Sequence, residues 1–287
     1  MQIELSRTRT RTVLEPPSVR ALNPVRQLAR LAASLDLLRT LSAHRLKVRY
    51  KQSRLGALWA LLQPLAMMVV FTLMFTLLRG APSGGVPYAL FVYAGLLPWA
   101  SFSSGLSSSA GALTGHASLL TKVYFPREIL PLTYAAAALT DFAIASLALA
   151  ALMAWYAVPL TLTALWALPA IAIMVVFLIA MGLLLSTLQV RYRDVGLAMP
   201  VILQIWLFSS PILYPLTAVE GALSNKLYAL YLLNPIAGIV DTFRRGIVLH
   251  EAPDLQALGM AALVTVVLLP AAYMYFKYTE MTMADVI

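Results

Sequence analysis

The residues best equipped for chemistry in this chain are few. Ser101, Ser104 and Ser108 recur at helical spacing, joined by Ser103, Ser107, Ser109, Gly105 and Gly111 and preceded by Tyr88, Phe91, Tyr93 and Trp99, with Phe102 among them. Such a small, hydroxylated face either packs closely against another helix or lines a polar path. The spacing alone leaves both open. A second group, Arg45, Lys47, Arg49 and Arg54, is a cationic cluster suited to phosphate. Asp141 is a lone acid inside an apolar run, where an ionised group is costly. It either takes part in function or is a satisfied contact beside Thr140. The three histidines, His44, His116 and His250, fall on separate segments, which argues against a histidine metal site. No HExxH, GxSxG or Gly-x-x-x-x-Gly-Lys-Ser/Thr pattern occurs. No catalytic residue, metal or cofactor is therefore expected in this chain, and any ATP drive belongs to another subunit.

The elements that hold these residues are set by hydropathy. Six apolar runs, 58–78, 88–111, 130–157, 165–188, 197–216 and 255–276, carry only one charge between them, Asp141. Each has the roughly 20 residues a helix needs to cross lipid, and none alternates as a barrel strand does. The expected architecture is an all-α integral membrane protein with six transmembrane helices. With 61% hydrophobic and 11% charged residues the chain cannot present the polar surface of a soluble domain. The net charge of +9 is concentrated before the first run, which suits an anionic membrane leaflet and not nucleic acid. Placing both termini in the cytoplasm puts seventeen Lys and Arg inside against four outside, Arg79, Lys226, Arg244 and Arg245. The first run is expected to act as an uncleaved targeting signal. The absence of cysteine excludes a disulfide framework.

Residues 1–33 read as a flexible basic arm, 34–54 as a cytoplasmic amphipathic interface helix, and 55–287 as a six-helix transmembrane domain. The loop 115–128 mixes apolar anchors with charge, which suits a protein contact or a stretch lying on headgroups. Between the fifth and sixth runs an apolar stretch, 227–240, is too short to span and is broken by Asn234-Pro235. Short re-entrant helices dipping into the outer leaflet satisfy its backbone; a loop resting on the surface is the other reading.

Five segments in order, Leu46 to Trp59 leading into Gln63-Pro64, Phe91 to Trp99, Thr121 to Arg127, Arg191 to Val195 and Leu233-Asn234-Pro235, resemble the membrane subunit of type-2 ABC exporters for polysaccharides, of the O-antigen and cell-surface branch. The resemblance covers about residues 35–287. It implies a half-channel in the bacterial cytoplasmic membrane that pairs with a second copy and two cytoplasmic ATPase subunits, which carry ATP and Mg²⁺, to move a lipid-linked polysaccharide. It further implies ATPase coupling through His116, Leu120, Lys122, Tyr124, Phe125, Arg127 and Glu128. Lipid phosphates would meet Arg45, Lys47, Arg49 and Arg54. The path would use Tyr93, Trp99, Phe102, Ser101, Ser104 and Ser108, and an outer gate Tyr228, Tyr231, Asn234 and Pro235. A membrane transferase or an ion-driven transporter is the rival class. The first has only Glu128 and Asp194 as candidate acids in the cytoplasmic loops, and the second calls for repeats and several intramembrane charges where the sequence has no clear repeat and one charge, Asp141.

Overall fold

The computed structural model describes residues 35–51, 54–77, 84–117, 125–280 and 283. The basic arm and Leu120, Lys122 and Tyr124 lie outside the described residues, as does the side chain of Arg49. All regular elements among the described residues are helical: α1 Leu35–Lys51, α2 Leu58–Leu77, α3 Tyr88–Ala110, α4 Ile129–Trp155, α5 Ala167–Arg191, α6 Asp194–Ser209, α7 Leu216–Ala222, α8 Asn225–Tyr231, α9 Pro235–Arg244 and α10 Leu255–Glu280. Five helical segments, α2, α3, α4, α5 with its leading turn from Leu162, and α10, are long and apolar enough to cross a membrane. In lipid each backbone must satisfy itself within its own segment, which is why continuous apolar runs become helices.

The fifth apolar run differs from its expected extent. It forms α6, whose 16 residues reach about 24 Å at 1.5 Å per residue, short of the roughly 30 Å hydrocarbon layer. Ser210 is extended (φ −106°, ψ 152°), because proline at 211 disfavours the helical region for the residue before it. The chain then turns through 210–215 into three short helices.

Helix α3 is the centre of the molecule: it packs against α2, α4, α5, α6 and α9, and Leu90 to Ala94 are fully buried. Apolar burial gives no drive between helices in lipid, so contact depends on small residues that let backbones approach. A Cβ on Gly105 would sit 2.8 Å from the Ala138 Cβ of α4 and 2.9 Å from Leu178 of α5, and one on Gly182 would meet Ser109 at 3.0 Å. Gly238 of α9 lies so near the Ala257 carbonyl of α10 that any Cβ would collide with it. By contrast α2 buries Met68 and Phe71 in the bundle and exposes Trp59, Val69, Val70 and Leu73 on its other faces. Two smaller clusters close the ends of the bundle. One joins Leu113, Leu130, Tyr134, Val190 and Phe276; the other joins Leu216, Tyr228, Leu232 and Ala257 around the start of α10.

Candidate functional site

The serines of α3 stand in two different surroundings. Ser101 and Ser109 are buried, and Ser109 donates to the Pro131 carbonyl of α4 at 3.3 Å. Ser104 and Ser108, one turn apart, border a cavity of about 340 Å³ between α1, α3 and α4. The aromatics of the same helix are enclosed. Tyr93 is fully buried and donates to the Ala145 carbonyl at 2.9 Å. Phe102 stacks on Phe177 at 5.3 Å, and Trp206 of α6 meets Phe102 at 5.4 Å and Trp99 at 6.1 Å, both edge-on. In this conformation Trp99 and Phe102 contact protein rings.

That ring cluster is bonded to the short outer helices. Trp206 Nε1 donates to Asn234 Oδ1 at 2.9 Å, and Asn234 Nδ2 donates to Ser210 Oγ at 2.8 Å. The same Oδ1 accepts from the Ile236 amide at 3.2 Å, capping α9, whose first residue is Pro235. Asn234 thus joins α6, the turn after it and α9. Asn234→Ala removes the cap and orphans two partners; we expect about 2 kcal/mol of lost stability, read as a lower unfolding midpoint in detergent, with Asn234→Asp retaining part of it through its acceptors. Close by, Tyr231 and Tyr214 share a 3.4 Å hydroxyl contact and Tyr228 donates to Asp254 at 3.3 Å. Burial pushes the Tyr228 and Tyr231 hydroxyls far above the usual phenol range, so both remain neutral donors.

The turn after α6 rests on a residue that sequence reasoning placed in an outside loop. Arg244 is 1% exposed. Its Nη2 donates to the carbonyls of Pro211 at 2.9 Å and Ile212 at 2.7 Å, and its Nη1 to that of Tyr214 at 3.3 Å. Tyr88 donates to the one between, Leu213, at 2.9 Å. Four successive carbonyls of a non-helical stretch are therefore satisfied by side chains. The guanidinium also lies 3.8 Å over the Phe91 ring, and Gly95 is where it fits against α3: a Cβ there would strike Nη2 and lie 2.7 Å from the Ile212 oxygen. Complete burial lowers its pKa to about 10, with Asp241 opposing the fall, so Arg244 stays cationic at neutral pH. The missed signal was an arginine paired in sequence with Asp241 inside an otherwise apolar helix; Asp241 itself bonds Arg245 Nε at 2.8 Å.

At the other end, part of the expected coupling segment is tied to the C-terminal helix. Lys277 Nζ donates to Glu128 Oε2 and Glu280 Oε2, each at 2.9 Å, and the Glu128 side chain is 3% exposed. Arg127 Nη1 donates to the Glu280 carbonyl at 2.6 Å. Phe125 packs on the cluster that contains Phe276, and His116 Nδ1 contacts the Ala112 carbonyl at 3.0 Å. Of the basic cluster, Arg45 stacks over the Tyr134 ring at 3.2 Å, while Lys47 and Arg54 are exposed. Asp141 is buried within α4.

The geometry offers buried hydrogen bonds and packed rings, with Arg127, Glu128, Arg244 and Lys277 tying separate segments together. Similarity to known proteins agrees with a membrane transporter subunit. A family profile described as ABC-2 type transporter matches residues 36–248. The O-antigen export system permease protein RfbA of Myxococcus xanthus is 32% identical over 254 residues, 88% of this chain and 96% of that protein. RfbA of Klebsiella pneumoniae is 28% identical over 222 residues, 75% of this chain and 83% of that protein. The polysialic acid transport protein KpsM of Escherichia coli is 27% identical over 242 residues, 79% of this chain and 88% of that protein. With its family profile spanning most of the chain and its helices long enough to cross a bilayer, this protein belongs to the ABC-2 type transporter family.

Proposed function

We propose that this chain is the membrane subunit of an ATP-driven exporter of a lipid-linked polysaccharide, an O-antigen or similar surface glycan, in the bacterial cytoplasmic membrane. The observation that carries this reading is nearly end-to-end similarity to permeases named for O-antigen export, joined to a sequence without a nucleotide-binding loop. Two copies form the channel, each held to a cytoplasmic ABC ATPase subunit that binds ATP and Mg²⁺. Helix α6 serves as the sixth crossing despite its length. Helices α7 to α9 re-enter from the outer side, with Tyr228, Tyr231, Asn234 and Pro235 as the gate. Both termini are cytoplasmic and α1 lies along the inner surface, where Arg45, Lys47, Arg49 and Arg54 meet lipid phosphates.

Coupling runs through residues 115–128, including Leu120, Lys122 and Tyr124, and the Glu128–Lys277 pair supports this by giving that segment a rigid attachment to α10. Separation of α6 from α3 would withdraw Trp206 and bare Trp99 and Phe102 to sugar faces, whose C–H surfaces stack on aromatic rings without demanding one hydrogen-bond pattern. Tyr93 and Ser101 are buried on the same helix and follow its movement. Export by this route is tested by coexpressing the chain with the genes that neighbour its own and weighing the detergent-extracted complex by native mass spectrometry. Two copies of each subunit are expected. A chain that remains alone in every condition would remove the reading.

A further inference from the structure

We propose that the outward face of α6 is where a second copy of this chain packs, with Gln204 hydrogen-bonded to its own counterpart across the axis that relates the two. The proposal rests on the exporter reading for the presence of a second copy; the choice of face rests on α6 itself. Met199 and Leu207 turn into the bundle, whereas Leu197, Val201, Ile202, Ile205 and Phe208 are exposed. Gln204 is exposed at the centre of that apolar face, with Val201 and Phe208 a turn to either side. It stands ten residues, about 15 Å, from the start of the helix. Its side chain makes no hydrogen bond among the described residues.

Lipid is the wrong cover for such a face. An amide in hydrocarbon finds no partner in the solvent, so polar side chains within a membrane pair with one another or line a cavity. The exposed positions of α10 between 259 and 274, Leu263, Val266, Val267 and Met274 among them, carry no polar side chain, as a lipid face requires. Helix α6, with 16 residues, is also shorter than the layer that would surround it. A second copy fits the chemistry. An amide holds a carbonyl acceptor and an NH₂ donor, so two glutamines meeting at a two-fold axis give and receive one bond each. Between helices in lipid, where apolar contact supplies no drive, pairs of this kind hold the contact. Phe208 meets Phe71 of α2 edge-on at 6.3 Å, which places α2 at the border of the same face.

The sequence contains no cysteine, so a single thiol can be introduced at each position in turn. The test uses membranes holding the full chain coexpressed with the genes that neighbour its own. Gln204→Cys should be joined into a dimer by a short bifunctional thiol reagent, packed helices lying about 8–10 Å apart; Val266→Cys on α10 should not. In liposomes, Gln204→Leu should weaken the association of two fluorescently tagged full chains by on the order of tenfold, two interhelical hydrogen bonds being lost. Equal joining at both positions, no joining at Gln204→Cys, or wild-type association of Gln204→Leu overturns the proposal. Modification of Gln204→Cys by a charged, water-soluble thiol reagent without joining also overturns it, and places the residue on an aqueous path. A two-to-two complex by native mass spectrometry without joining sinks this interface and leaves the exporter standing; joining in a chain that binds no ATPase does the reverse.

Discussion

Arg244→Met should cost the protein about 4 kcal/mol, the largest single-residue effect expected outside backbone collisions, because it leaves three turn carbonyls, those of Pro211, Ile212 and Tyr214, without donors in a low-dielectric interior. Apolar replacement is usually mild when both partners of a hydrogen bond go. Here only the donor goes, and the carbonyls belong to backbone that cannot be exchanged. Lysine restores the charge but not the flat fork that spans these oxygens while lying 3.8 Å over Phe91, so Arg244→Lys should recover less than half of the loss. Gly95→Ala should act in the same direction, since its methyl takes the guanidinium's place. Unfolding midpoints in detergent across these three variants check the account. A midpoint for Arg244→Met within about 0.5 kcal/mol of wild type, below any cost expected for orphaned buried carbonyls, would show that the turn holds by other means.

Lys277→Met is the second. It strands Glu128, whose side chain is 3% exposed, and places it near Glu280 with the shared cation gone. Breaking one side of a buried pair costs about 3–5 kcal/mol, whereas replacing both with neutral groups of similar shape is far cheaper. The double variant Glu128→Gln/Lys277→Gln should therefore lie within about 1 kcal/mol of wild type. Comparing single and double variants by thermal unfolding isolates the pair from general damage to α10. In the coexpressed complex the same single variant should lower the gain in export per ATP hydrolysed, because the segment ahead of α4 loses its attachment to the last helix. Equal stability of the single and double variants would mean that the pair is not what joins the two helices.

These two side chains show where sequence reading succeeded and where it stopped. The apolar runs 58–78, 88–111 and 130–157 were legible to within two residues, as helices Leu58–Leu77, Tyr88–Ala110 and Ile129–Trp155, and 255–276 to within four, as Leu255–Glu280. The run 197–216 was not: composition carried it through Pro211, and the helix ends at Ser209. Asn234-Pro235 was visible as a break because an N-cap followed by proline is a local signature, and it became the start of α9. That the Asn234 side chain also receives Trp206 was invisible. The serine face was legible as special but not as divided, since Ser101 and Ser109 differ from Ser104 and Ser108 only in which neighbour stands opposite.

The amino-acid sequence by itself determined that this chain is a membrane protein and where five of its candidate crossings lie, because in lipid each backbone amide finds its partner four residues away and hydropathy is a local property. Its five ordered motifs likewise carried the family. Tertiary structure alone decided which charges are surface and which are interior. Arg244, counted from sequence as an outer-loop cation, is a buried donor to carbonyls 30 to 33 residues earlier. Lys277 finds Glu128 across 149 residues of chain. Such partners are chosen by how helices pack around the small residues of α3, α5 and α9, and a contact between distant backbones leaves no period in the sequence that joins them.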